Sequence, residues 1–246
     1  INITSTGIPE NAPKFIKDRK EYSYIKESFE VSGTVSIEGI LKDVKYKDSN
    51  KQNATDVTLN NGKFTIPAIT DFTDYHQPIT RTITATSVYG LSASQEINFV
   101  YDNVAPRFGI TKVLDETVNW AMNNSDATYS VTTAKQKYGT KNKKFEITGN
   151  VSDGWNQAQI ADCQSGAKFY YYIGTTEPSI SNGKYVIDDN WHQISVASNG
   201  SWEVSISFDE SKYPNKTDLK LYFAAIDNVG NVSEIDKNPS ALINIR

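Results

Sequence analysis

Tyr101-Asp102-Asn103-Val104-Ala105-Pro106-Arg107-Phe108 closes one alternating, strand-like run and opens another with a proline. Near the front of the chain, Glu10-Asn11-Ala12-Pro13-Lys14-Phe15 repeats the same Ala-Pro-basic-Phe ending. A proline removes a backbone donor and biases its predecessor toward extended geometry, so each copy suits a β-edge that opens a new unit. The two copies predict consecutive modules over 10–103 and 104–246. Residues 1–9 then form the tail of a preceding repeat and a linker, with Gly7 and Pro9 as punctuation.

Working outward, the modules share an internal plan. Phe29-Glu30-Val31-Ser32-Gly33-Thr34-Val35-Ser36 alternates with the period of a half-buried strand, and Phe145-Glu146-Ile147-Thr148-Gly149-Asn150-Val151-Ser152 repeats it. Asn61-Gly62, a hairpin signal because both residues tolerate positive φ, is answered by Asn199-Gly200. Arg81–Thr86 is answered by Leu221–Ile226, and Tyr89-Gly90 by Val229-Gly230. Anchors matched in one order read as a duplication. Short alternating strands with turn signals between them predict an all-β chain of two tandem Ig-like antiparallel β-sandwiches.

The second module is enlarged by loop insertions around Asp115–Gly139, Gly154–Gly166 and Gly174–Asn190, with a short helix expected over Asp115–Met122. Candidate core residues are Val31, Val44, Phe64, Ile83, Ala85 and Phe99 in the first module. In the second they are Ile147, Phe169, Tyr171, Trp202, Leu221 and Phe223.

Composition narrows the class. The chain has 246 residues and a net charge of −4 from 25 basic and 29 acidic side chains, a balance unlike the basic stripe of a nucleic-acid binder. It contains no apolar run of eighteen residues, so no membrane span is expected. Cys163 is the one cysteine, which excludes an intrachain disulfide.

Ala225-Ile226-Asp227-Asn228-Val229-Gly230-Asn231-Val232-Ser233 resembles the Ala-x-Asp-x-x-Gly-Asn turn before the last strand of bacterial Ig-like repeats of large exported surface proteins. Asp102-Asn103-Val104-Ala105-Pro106 is similar to their linker. The first module departs from the pattern, with Ser87 at the place of the turn aspartate. The resemblance implies an extracellular location at the bacterial surface, a stalk-like or adhesive role, and neighbouring repeats of the same parent chain as partners. The alternative is an accessory module, carbohydrate-binding or spacer, of an exported enzyme.

Candidate sites follow from side-chain chemistry. Lys168-Phe169-Tyr170-Tyr171-Tyr172-Ile173 sets Tyr170 and Tyr172 opposite the face of Phe169, Tyr171 and Ile173. With Trp155 and Trp191 in the inserted loops, they form the candidate binding surface for a host protein or a glycan, since flat aromatics suit sugar rings and protein partners alike. The competing reading folds these loops back as a cap that buries both tryptophans. Glu10-Asn11-Ala12-Pro13 and Asp102-Asn103 are also similar to cadherin linkers, which share calcium between repeats. Calcium needs six to eight oxygens, however, and turn propensity accounts for these Asx residues, so no metal and no cofactor is expected. His76 and His192 lie in different modules and no nucleophile elbow or phosphate loop occurs, so the chain reads as non-catalytic.

Overall fold

The computed structural model describes residues 1–36, 39–72, 75–114, 116–120, 137–140, 144–153, 165–207, 211–213, 218–235 and 241–245. Among them there is no α-helix; strands and turns make up the architecture. The chain divides into two compact units, one on Ile1–Asn103 and Gln159–Ser165 and the other on Val104–Ala158 and Gly166–Arg246.

The first unit contains β1 (Asn2–Ser5), β2 (Lys14–Lys17), β3 (Lys20–Ile25), β4 (Val31–Thr34), β5 (Leu41–Asp48), β6 (Thr55–Asp56), β7 (Leu59–Asn60), β8 (Lys63–Ile66), β9 (Ile79–Ser87) and β10 (Ser92–Tyr101). One sheet has the order β1-β4-β8-β7 and the other β2-β3-β10-β9-β5-β6. β9 alternates strictly between buried and half-buried residues, as a strand with one dry face must. Val31, Phe64 and Ile66 of the first sheet meet Val44, Ile83, Ala85 and Phe99 of the second in a single core. Each large side chain so buried contributes roughly 1.5–3 kcal/mol.

The second unit contains β11 (Arg107–Val113), β12 (Glu116–Trp120), β13 (Lys137–Thr140), β14 (Lys144–Ser152), β15 (Ala167–Gly174), β16 (Ile180–Ser181), β17 (Lys184–Tyr185), β18 (His192–Ile194), β19 (Ser201–Ser207), β20 (Asp218–Asp227) and β21 (Ala241–Ile245). Its sheets run β12-β11-β14-β19 and β13-β21-β20-β15-β18, with β16 and β17 as a separate hairpin. Ile147, Phe169, Trp202, Leu221 and Phe223 are buried in its core, and Tyr171 packs against them half-buried.

The duplication extends to atomic detail. Gly33 stands opposite Phe64 across β4 and β8, and Gly149 stands opposite Trp202 across β14 and β19. A Cβ on Gly33 would fall 2.6 Å from Phe64 Cζ, and one on Gly149 would strike the Trp202 ring and the Gly109 carbonyl. In both units the aromatic ring therefore lies over a glycine that leaves it room. The Asn-Gly turns also match: the Gly62 carbonyl accepts from Val35 N at 2.8 Å and that of Gly200 from Val151 N at 2.9 Å. Asn61 and Gly62 both take positive φ, 50° and 75°, as a tight hairpin requires.

Two expectations change. Residues 2–5 do not trail away from the first unit. They form β1, an edge strand paired with β4, with Ile3 opposite Gly33 just as Ile110 is opposite Gly149. β1 is thus the counterpart of β11, and Pro13 precedes β2 instead. The helix expected over Asp115–Met122 is a strand over Glu116–Trp120, paired with β11 through Val113↔Glu116. Leu114 takes a positive φ of 51°, which reverses the chain, and β-branched Thr117 and Val118 suit the pleated partner that follows.

Candidate functional site

The outer face of β15 and β20 carries the candidate surface of the second unit. Leu221, Phe223 and Ala225 point into the sandwich, which turns Tyr222 and Ala224 outward beside Tyr170 and Tyr172. The insertion after Gly174 folds onto this face. β16 and β17 pair as a hairpin, and Ile235 N donates to Gly183 O at 3.1 Å to tie it down. A turn at Asp188–Trp191 follows, in which Asn190 N donates to Asp188 Oδ1 at 2.9 Å and Trp191 N to the Asp188 carbonyl at 3.0 Å. That turn delivers the Trp191 ring to the sheet.

Trp191 is 6% exposed there. Its ring centroid lies 5.7 Å from Tyr172 and 5.6 Å from Tyr185, and Tyr185 meets Tyr222 edge-on at 5.7 Å. Tyr170 and Tyr172 remain half-buried at the margin of this layer. Trp155 lies outside the described residues. Of the four expected site residues, the structure brings Trp191, Tyr170 and Tyr172 together and buries the first, which for that ring is the outcome of the cap reading and not of an exposed binding residue.

Two members of the layer, Tyr185 and Tyr222, were missed in the sequence. Tyr222 could have been found from its alternation against Leu221 and Phe223. Burial raises the Tyr222 hydroxyl to about 12, with the Glu177 charge adding to it. Burial likewise raises Tyr185, whose hydroxyl donates to Glu177 Oε1 at 3.2 Å. These phenols act as neutral donors with flat apolar faces, suited to stacking and unsuited to acid–base work.

The hairpin after β20 behaves as its sequence suggests. Asn231 N donates to Asp227 Oδ1 at 2.7 Å, Asn231 Nδ2 donates to Oδ2 at 2.7 Å, and Gly230 has φ 89°. Burial raises the Asp227 carboxyl above its ordinary range, against the lowering effect of these bonds. The carboxylate oxygens of Asp227 and Asp153 come within 4.8 Å of each other, and Gly166 N donates to Asp153 Oδ2 at 2.8 Å.

In the first unit the main polar feature was not anticipated. Arg81 stands directly opposite Asp48 across β9 and β5 and is 2% exposed. Its Nε donates to Asp48 Oδ1 at 2.7 Å and its Nη2 to Oδ2 at 2.8 Å, while the Tyr75 hydroxyl donates to Oδ2 at 2.8 Å. The guanidinium also sits 4.9 Å from the Tyr46 ring centroid and 5.7 Å from that of Phe29. Burial opposes its charge, and the Asp48 bonds and charge more than offset that, holding Arg81 above its ordinary value.

On the outer side of the same sheet, Thr80, Thr82, Thr84 and Thr86 line an open cleft of about 610 Å³ with Lys20, Lys45 and Lys47. The histidines have structural surroundings. His76 Nδ1 lies 3.1 Å from the Tyr101 carbonyl, and the His192 ring lies 5.0 Å from that of Tyr171. Asp102, from the linker, donates its backbone N to the Ile25 carbonyl at 2.7 Å.

Two sheets packed over one core in each unit, antiparallel except where β3 meets β10 and β13 meets β21 in parallel, define an all-β protein of Ig-like sandwiches. No family model matches the sequence, and no curated protein matches it. Among solved structures, the chain is similar to a 1.5-MDa bacterial ice-binding adhesin at 12% identity over 87% of this chain and 55% of that one, with a TM-score of 0.33. It is similar to a tetra-tandem repeat in the extending region of a large adhesion protein at 14% identity over 88% and 44%, TM-score 0.30. Murine CEACAM1b matches at 10% identity over 91% and 96%, TM-score 0.34. The chain thus spans about half the length of the two solved chains from bacterial adhesion proteins. Scores of this size describe a distant likeness.

Proposed function

We propose that this chain is a non-catalytic structural and adhesive segment of a bacterial cell-surface protein, working outside the cell beside further Ig-like repeats of its parent. Its ligand, a host protein or a glycan, meets the second unit at the margin of the outer aromatic layer, where Tyr170 and Tyr172 are half-buried next to Trp191. The observation that carries this reading is the folded insertion. A spacer is complete once its two sheets share a core. The second unit adds a hairpin, a tight turn and a second aromatic layer on a sheet face that could have stayed solvated. Aromatic residues on a rigid scaffold supply contact area at low entropic cost, which is what adhesive surfaces use.

The test is an array of glycans and matrix proteins probed with the whole chain and with Tyr170→Ser. The tyrosine margin predicts at least a tenfold loss of the selected binding, about 1.4 kcal/mol. Full binding by the variant, or by residues 1–103 alone, would remove the second unit's surface from consideration. A parent chain that continues into a hydrolase domain would favour the accessory-module alternative over the adhesive one.

A further inference from the structure

The second unit repeats the strand pair β5 and β9 of the first without repeating its buried charges. Both ladders run back from the same turn in the same register. Val44 lies opposite Ala85 as Phe169 lies opposite Ala225, and Tyr46 lies opposite Ile83 as Tyr171 lies opposite Phe223. One step further, Asp48 opposite Arg81 stands where the second unit has Ile173 opposite Leu221. Leu221 is buried and Ile173 packs against the same core, so an apolar pair closes this end of a sandwich. A buried ion pair adds little net stability over apolar residues of similar volume, because desolvation offsets the attraction. The fold does not require charges at this position, so their presence in the first unit calls for another reason.

Asp48 and Tyr75 supply one, since both line an open pocket of about 370 Å³. That volume falls at the small end of the range for small-molecule sites, roughly 300–1,000 Å³. Asp48 is 3% exposed and Tyr75 6%. Arg81 engages both carboxylate oxygens of Asp48, and the Tyr75 hydroxyl donates a third bond to Oδ2. Burial, and after it the Asp48 bond, hold that hydroxyl protonated far above the ordinary phenol range. Its oxygen keeps the capacity to accept. Half-buried Tyr46 adds a second ring to the lining. The loop between β5 and β6 forms the rim. Ser49 N donates to the Thr80 carbonyl and Lys51 N to the Asp48 carbonyl, each at 2.9 Å, which fixes where the loop leaves the sheet. Beyond that point Gln52 and Asn53 bring exposed amides to the pocket, and Lys47 and Lys51 bring exposed ammonium groups.

We infer that this pocket binds an acidic sugar unit, a hexose ring that carries a carboxylate. Arg81 matches the charge of Asp48, so the charge that a ligand meets is the positive charge of Lys47 and Lys51. Lys47 makes no ion pair among the described residues. Amides and hydroxyls both donate and accept, as neighbouring sugar hydroxyls require, and the tyrosine rings give an apolar wall for the C–H side of a sugar. A phosphate has no apolar side to set against those rings, and a neutral sugar has no charge to set against the lysines. A single unit of about a dozen non-hydrogen atoms, at ordinary ligand efficiency, binds with a Kd of roughly 1 mM. The site lies wholly in the first unit and does not depend on the aromatic layer of the second.

NMR titration of the whole chain with sodium glucuronate, glucose and sodium phosphate, each to roughly 20 mM at constant ionic strength, tests this. Glucuronate should shift the amides of residues 47–55 and Tyr75 and saturate near 1 mM, at least fivefold more tightly than glucose. Lys47→Gln should weaken glucuronate at least fivefold and leave glucose unchanged. Asp48→Ile/Arg81→Leu, which installs the second unit's own pair, should lose at least tenfold in glucuronate affinity. If that double variant does not fold, Asn53→Ala on the exposed rim must show a loss of at least threefold. Absence of saturable shifts overturns the proposal, as does a Lys47→Gln variant that binds glucuronate like the wild type. Phosphate that shifts the same residues as strongly as glucuronate would overturn the sugar and leave an anion site only. Glucuronate shifts confined to Tyr170 and Tyr172 and abolished by Tyr170→Ser would overturn this pocket while upholding the surface of the second unit.

Discussion

Arg81 is a charge set among rings, and its position makes it the most exacting residue of the first unit. A buried pair that loses one partner leaves the other charge desolvated and uncompensated, which costs about 3–5 kcal/mol. Arg81→Met should therefore destabilise the first unit by that amount in urea titration. Adding Asp48→Leu removes the stranded carboxylate, and the double variant should recover at least half of the loss; equal losses in single and double variants would mean that the rings, rather than the charge, hold Arg81. The glycines beneath the aromatic rings make a second case. Gly149→Ala would drive a methyl into the Trp202 ring and the Gly109 carbonyl, and Gly33→Ala into Phe64. Each should cost at least about 1–3 kcal/mol by overpacking, readable as a lower denaturation midpoint of its own unit. The core aromatics were legible in the sequence because they alternate with polar neighbours. Arg81 shares the buried phase of Ile79 and Ile83, which the alternation marks as core, yet a lone charge argues for solvent, so the sequence does not mark Arg81 itself as buried. A buried cation is announced only by its partner, and Asp48 lies 33 residues away.

At the scale of elements, the layer made by β16, β17 and the Asp188–Trp191 turn has a titration signature. Tyr222 and Tyr185 hold their protons more tightly when folded than an exposed phenol does, whose pKa is about 10. Below pH ~10 both states are protonated and the stabilisation is complete. Above it the unfolded chain ionises first, so stability falls as pH rises from ~10 toward about 12, where folded Tyr222 titrates too. Urea unfolding of the second unit should be level from pH ~7 to ~9 and decline steeply by pH ~11. Tyr222→Phe should flatten that decline, and an unchanged slope would exclude Tyr222 as its source. The sequence announced the insertion as length and aromatic content. It could not announce the direction in which Trp191 faces, because a loop has no period from which a face can be read. The strand at Glu116–Trp120 escaped notice for a related reason: an Asp before a polar-apolar run signals a helix cap and a reversing turn equally well.

Across the whole molecule, each core draws its residues from one unit, Ile25 to Phe99 in the first and Phe108 to Ala225 in the second. Residues 104–246 expressed alone should therefore show a cooperative thermal transition, and near-ultraviolet dichroism should report packed aromatics. A chain without a transition would place the boundary elsewhere. In the first unit the arriving strand β1 lies antiparallel to β4 in one sheet, and the departing strand β10 lies parallel to β3 in the other, with Phe99↔Ser23 and Tyr101↔Ile25 in register. Tension applied at Ile1 and Tyr101 then runs along both strands and loads their ladders in shear. All the bonds of a ladder must yield together, whereas a pulled hairpin opens one pair at a time. Such a link resists a steady pull through its unfolding rate rather than its equilibrium stability, and under flow it would give way late and abruptly.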